Sequence, residues 1–187
     1  STTNNILLLN FFRNLSNSFL LIIVPVGLLG FAKKTIFVFF VTLERILSIG
    51  DEHKFVTGWY RSNYSDQAMV GKWDEYFFRK NHHMPFTSVE WLDKMGKEEP
   101  NKLVEVDWCG FGFTKIHRSI FEEMEYPYFP LNHANIDGCD DRKGGKFDLK
   151  DLSFEDVSFC QNCYKKTGIK PLVVPSVRLP HYKSFFV

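Results

Sequence analysis

Three groups of residues have types and spacings suited to chemistry. The first is Glu155-Asp156, inside Phe154-Glu-Asp-Val157. Carboxylates at a helix start ordinarily serve as caps, because they accept bonds from the free N–H groups and suit the positive end of the dipole. An aspartate held there is also placed to take a proton from a hydroxyl. The second is Gly110-Phe-Gly112, in the run Val106-Asp-Trp-Cys-Gly-Phe-Gly-Phe-Thr-Lys-Ile116. Two glycines one residue apart after a strand let backbone approach a ligand closely, and the same spacing makes a bulge or tight turn. A third glycine is absent, so this is not the dinucleotide fingerprint. The third is His181 in Val177-Arg-Leu-Pro-His181. A histidine just past a strand end is ordinarily a surface residue, and it is also where a sheet edge can present a metal or diphosphate ligand.

Other reactive side chains are less organised. Cys109, Cys139, Cys160 and Cys163 follow no secretory signal with a cleavage site, so reduced thiols are expected. Cys160 and Cys163 make a C-x-x-C, but the other two are not spaced as a second zinc pair. His82 and His83 are adjacent, so their side chains diverge and solvent exposure is expected. Asp137, Asp140 and Asp141 lack the alternate spacing of a calcium loop. Trp59, Trp73, Trp91 and Trp108 have the shape to stack on sugars, although filling a core is the usual fate of such rings. The net charge of +1 leaves no electrostatic footprint for nucleic acid.

The elements that must position these groups follow from pattern. At 187 residues, of which 44% are hydrophobic and 17% aromatic, the chain has the length of one domain with a ring-rich core. Residues 1–47 are atypically apolar and 48–187 are richer in recognisable signals. Phe19 to Val24 is a continuous β-favouring run, as in a parallel strand covered on both faces. The apolar stretch continues to Ala32 but falls short of the ~20 residues a spanning helix needs, and it holds Pro25, Gly27 and Gly30 before Lys33-Lys34. A buried strand, a membrane anchor and a corrupted region are three readings of this stretch. Thr42–Ser48 reads as a helix end with Gly50 as its C-cap. Lys54–Gly58 and Leu103–Val106 read as strands, and Ser119–Glu125 as helical turns stopped by Pro127. Asn132–Lys150, rich in glycine and aspartate, reads as a loop. Phe154–Thr167 is a helix with Ser153 as N-cap and Gly168 at its end. Ile169–Val177 is a strand broken by Pro171 and Pro175, which suggests a sheet edge. The alternation predicts an α/β sandwich with a mainly parallel central sheet.

Taken in order, the G-x-G turn, Tyr126-Pro-Tyr-Phe129, the acidic glycine-rich loop, Glu155-Asp-Val, Lys165-Lys-Thr-Gly-Ile169 and Val174-Pro-Ser-Val-Arg-Leu-Pro-His181 resemble the C-terminal half of GT-A-fold glycosyltransferases of the family 2 kind. The resemblance spans about residues 42–187, with Phe55-Val-Thr-Gly-Trp-Tyr60 similar to the strand after the metal motif's helix. It implies a Rossmann-like GT-A sandwich, cut short at its N-terminus, that moves a sugar from a nucleotide-sugar donor to a glycan, lipid or protein acceptor. Asp156 would be the general base and Glu155 its neighbour in acceptor binding. Asp107, Trp108, Gly110 and Gly112 would line the substrate pocket, and His181 would hold a divalent cation, Mn2+ or Mg2+. The Asn132–Lys150 loop would serve as a lid or remain a plain surface loop. A cytoplasmic setting, with membrane association through the apolar N-terminus, is expected.

The chain departs from that pattern at one place. Family members carry a D-x-D-like metal motif at the end of an apolar strand. Here Val24-Pro25-Val26 stands at that place, and no carboxylate lies between Ser1 and Glu44. Truncation, a frame error and loss of metal dependence each account for this, and weak or absent activity is the expectation. Two other functions follow: an inactive GT-A-like domain that binds sugars or a partner, and a membrane-anchored protein that works through its apolar N-terminus.

Overall fold

The computed structural model describes residues 19–23, 41–62, 66–81, 83–129, 132–135, 150–153 and 155–179, of which 19–23, 132–135 and 150–153 are described by backbone alone. The centre is strand β2, Phe55–Tyr60. Successive side chains on a strand point to opposite faces, and here both faces are covered. Phe55 and Trp59 enter one apolar cluster with Ile116 and Val173. Val56 enters a second with Phe113, Val174 and Val177. The first cluster is closed by helix α5, Glu155–Thr167, through Val157, Phe159, Cys160 and Cys163. The second is closed by helix α1, residues 41–47, through Leu43 and Ile46. The result is a sheet between helical layers, an α/β arrangement as expected.

The sheet has five strands in the order β1-β8-β2-β11-β6, with β1 at Phe19–Ile23, β6 at Val104–Glu105, β8 at Phe113–His117 and β11 at Leu172–Leu179. Only β2 and β11 pair in parallel; β1–β8, β8–β2 and β11–β6 are antiparallel. This corrects the expectation of a mainly parallel sheet. A strand buried on both faces reads as the same continuous apolar run in either direction, so sequence pattern carries no sign of its polarity. The run at Phe19 does form a strand, but antiparallel to β8 rather than parallel.

Strand β11 is also not an edge, since it lies between β2 and β6. The sheet accommodates Pro175 by a register shift between Val173 and Arg178 on the β2 side, while β6 pairs only with Leu172 and Val173. No ladder bond is therefore asked of the missing N–H, and the Pro175 carbonyl instead accepts the Trp59 indole N–H at 2.8 Å.

Around this sheet lie short pieces: β3 (Gln67–Ala68) with β5 (Thr87–Ser88), and β4 (Val70–Gly71) with β7 (Trp108–Cys109). Helices α2 (Glu75–Asn81), α3 (Val89–Glu98) and α4 (Arg118–Glu123) join them. Ser88 caps α3 by accepting from the Trp91 N–H. The expected 132–150 loop begins and ends in a hairpin instead, β9 (Asn132–Asn135) with β10 (Lys150–Ser153), Asn132 facing Ser153. Residues 136–149 lie outside the described residues. Ser153 is the last residue of β10, and α5 starts at Glu155. At its other end Gly168 takes φ 72°, the left-handed cap expected there. Gly50 adopts no such conformation. No described helix is long and apolar enough to cross a membrane.

Candidate active site

The glycine-spaced turn, the start of α5 and the end of β2 meet at Tyr60. A β-carbon built on Gly112 would lie 2.7 Å from Tyr60 Cε1, and one on Gly110 would overlap the Tyr60 hydroxyl. Both positions must therefore be glycine for the ring to lie against the turn. The close approach that this spacing permits is thus taken by a side chain of the same protein. The Met69 carbonyl accepts the Gly110 N–H at 2.8 Å and fixes the turn from the other side.

Asp156 belongs to the same cluster. Burial is the main cause that raises its carboxyl to about 6, and the charge of Glu155 adds to this. The Val157 N–H, donated to Oδ1 at 2.8 Å, pulls the other way. The carboxylate that accepts this N–H in the first turn of α5 is the one singled out from the sequence. Tyr60 registers the carboxylates too: burial first, then Asp156, Cys109 and Glu155, hold its phenol well above the usual range. It stays protonated at any working pH. Cys109, fully buried, is pushed up by burial, by its partner Cys160 at 4.0 Å and by Asp156. Glu155 is exposed beside them. A half-buried carboxylate titrating near 6 has the affinity required of a general base at neutral pH.

An aromatic floor lies beneath this cluster. Phe159, one helical turn beyond Asp156, shares its face of α5. Its ring stacks on Phe129 at 4.8 Å and meets Phe111, which stands between the two glycines, edge-on at 5.2 Å. Phe111 and Phe129 meet edge-on at 5.8 Å.

Of the residues singled out from sequence, Gly110, Gly112, Glu155 and Asp156 come together. Asp107 does not join them. Its Oδ1 takes Lys170 Nζ at 2.9 Å, beyond the far end of α5, and its Oδ2 accepts the Trp73 N–H at 3.0 Å. Burial raises its carboxyl, but the Lys170 bond, the Trp73 bond and the nearby lysine charges outweigh it and hold it below the usual range. Trp108 corrects a second expectation. It is 0% exposed, packed edge-on against Phe86, and so lies in the core rather than beside a sugar. Both residues of β7, Trp108 and Cys109, are 0% exposed where the strand pairs with β4. His181 lies outside the described residues, as do His82, Cys139, Asp137, Asp140 and Asp141. Tyr60 went unremarked as a site residue; its signal is position, the last residue of a fully buried strand.

Cys109, Cys160 and Cys163 are free and buried. Among the described residues no three His, Cys, Asp or Glu side chains gather to hold a metal ion. Clefts of about 530 and 560 Å3 open elsewhere, one along α3 at Asp66, Glu90 and Lys97, the other between α1 and Pro100, Asn101 and Ser176. Neither is lined by Asp156.

Comparison with known proteins adds little. No family model matches the chain, and no curated protein matches it. The crystal structure of A197 from STIV is similar over 94% of this chain and 63% of its own length, at 17% identity and a TM-score of 0.39. The chain thus spans less than two thirds of that protein. A TM-score below 0.5 does not establish a common fold.

Proposed function

We propose that this chain is a GT-A-like glycosyl-transfer domain in which Asp156 takes the proton from an acceptor hydroxyl as the sugar leaves a nucleotide diphosphate. The observation that carries this reading is the half-buried Asp156 carboxylate, raised to about 6 beside Tyr60 and the Gly110–Gly112 turn. Proton removal from the attacking hydroxyl is worth ~10²–10⁴-fold in rate. The GT-A assignment itself draws on the order of motifs along the sequence. The proposed partners are a nucleotide-sugar donor and a glycan, lipid or protein acceptor. Free buried thiols are consistent with a reducing, cytoplasmic setting.

The described residues do not fit a divalent cation: Glu155 and Asp156 have no third ligand among them. No step is therefore routed through a metal. The charge on the departing diphosphate still needs stabilisation, and this demand favours a second reading, a domain that binds sugars without turning them over. The observation behind it is the absence of any carboxylate from Ser1 to Leu43, where the family places its metal motif.

A panel of nucleotide sugars, each with and without manganese, separates the two. Transfer or donor hydrolysis that is lost in Asp156→Asn supports the first reading. Saturable nucleotide-sugar binding with no turnover supports the second. Turnover untouched by Asp156→Asn removes this residue from the mechanism.

A further inference from the structure

Phe129 is 39% exposed, although its ring is stacked on the buried Phe159 and braced by Phe111. An aromatic ring left partly open to water costs free energy, and here it is held in that position rather than tucked in. The support is layered. Phe159 is itself fixed by Phe55 at 6.0 Å and by Phe121 at 5.6 Å. Tyr128 packs edge-on against Phe121 at 5.2 Å, and Tyr126, 84% exposed, against Tyr128 at 5.7 Å. The Tyr126–Phe129 segment therefore forms a rigid aromatic rim rather than a loose loop end.

Its position is the second observation. Phe159 follows Asp156 by three residues and shares its face of the helix, so the ring stacked on Phe159 rests on the helical turn that begins at Asp156. Phe111, the other brace, lies between the glycines that hold Tyr60. A pyranose presents an apolar C–H face and a polar rim of hydroxyls. A flat ring next to a base meets both, the ring covering the C–H face while the carboxylate meets a hydroxyl on the rim.

We propose that Phe129, backed by Phe159 and Phe111, is a platform for the acceptor sugar, laying the C–H face of a pyranose on its ring and turning one hydroxyl toward Asp156. The occupant follows from the pairing of an apolar plane with a proton-accepting edge. A peptide or a lipid tail would use the ring but has no hydroxyl rim to offer the carboxylate. This rests on the glycosyl-transfer reading for the role of Asp156, but not for the binding itself.

The test uses the full chain and methyl glycosides of glucose, galactose, mannose and N-acetylglucosamine as probes, followed by saturation-transfer NMR. At least one glycoside should bind, with saturation strongest on the protons of one ring face. Phe129→Ala should weaken that binding by about tenfold, and Phe129→Tyr should restore it, with thermal unfolding of both variants showing that the fold persists. Binding unchanged in Phe129→Ala, or no binding of any of the four to the wild-type chain, overturns the proposal. So does concentration-dependent self-association that Phe129→Ala abolishes without glycoside binding, since a second copy would then be the occupant. The two readings fail separately. Glycoside binding that needs Phe129, without transfer from any nucleotide sugar, sinks the catalytic reading alone. Transfer that needs Asp156, with an acceptor KM indifferent to Phe129→Ala, sinks the platform alone.

Discussion

Helix α5 has an aspartate against each end, and the two are shifted in opposite directions. At the N-terminal end Asp156 is half-buried beside another carboxylate, and no lysine or arginine among the described residues pairs with it. Its affinity for a proton rises. Beyond the other end Asp107 receives Lys170 at 2.9 Å, with Lys72 at 3.9 Å and the Trp73 N–H besides, and its affinity for a proton falls. One end is left without a cationic partner among the described residues, while the other is ion-paired and tethers the chain leaving the helix to the strand segment before β7. Two carboxylates of one residue type acquire two roles from their surroundings alone.

The largest expected break in this comparison is kinetic. If the chain transfers sugar, Asp156→Asn should lower kcat by ~10²–10⁴-fold, and Asp107→Asn should leave it within a few-fold. The wild-type rate should rise with pH through about 6, because only the deprotonated carboxylate accepts a proton. Equal losses in both variants would erase the distinction between the ends.

The next effect concerns the turn beside the Asp156 end. Gly112→Ala and Gly110→Ala should each cost about 1–3 kcal/mol by chemical denaturation, from overpacking against Tyr60. Tyr60→Phe should recover part of the Gly110→Ala loss, since the hydroxyl is the nearest obstacle there. It should recover little of the Gly112→Ala loss, where a ring carbon is nearest. Equal recovery in both would mean that the ring is not held as described.

Stability against pH sharpens the contrast further, because the two aspartates carry opposite signs. The folded carboxyl of Asp156 titrates near 6, above its ordinary 3.8. Its protonated form favours folding below about pH 4, and that contribution is lost as pH rises through about 6. Asp156→Asn, which keeps an oxygen for the Val157 N–H, should therefore stabilise the protein at pH 7.5 by on the order of 2 kcal/mol and hardly at all at pH 4. A variant less stable at pH 7.5 than at pH 4, relative to wild type, would reverse the sign and refute the buried-carboxylate picture.

For Asp107 the folded affinity is lowered. Its contribution is present above the ordinary carboxylate range and lost as pH falls below it. This is the smallest effect: Asp107→Asn should destabilise by about 0.5–1 kcal/mol at pH 7, since Lys170 and Glu105 remain partly in water, and high salt should shrink the difference.

How much of this was legible beforehand differs residue by residue. Strand β2 was legible as Lys54–Gly58, and the structure carries it on through Trp59 and Tyr60. Helix α5 was readable from its acidic start and Gly168. Asp156 was legible as a carboxylate opening a helix, which is where it lies. The separation of Asp107 from it was not, although the two glycines that follow Asp107 do reach the site. Sequence spacing does not say which way the chain runs along its neighbour, so it could not tell that Asp107 turns to Lys170 while Gly110 meets Tyr60. Trp108 was misplaced for a related reason, since a two-residue strand gives no alternation from which to read its inward face.

The sequence by itself determined composition-level and local matters: an α/β mixture, the stop of α5 at Gly168, and which carboxylates open that helix. Those follow from side-chain chemistry and backbone preference over a few residues. Strand direction, the interior place of β11 despite Pro175, the use of two glycines by Tyr60, and the opposite shifts of Asp107 and Asp156 were decided only by tertiary structure. Each depends on which distant group arrives alongside, and the energy of a charge or a ring is set by that neighbour rather than by the residue that carries it.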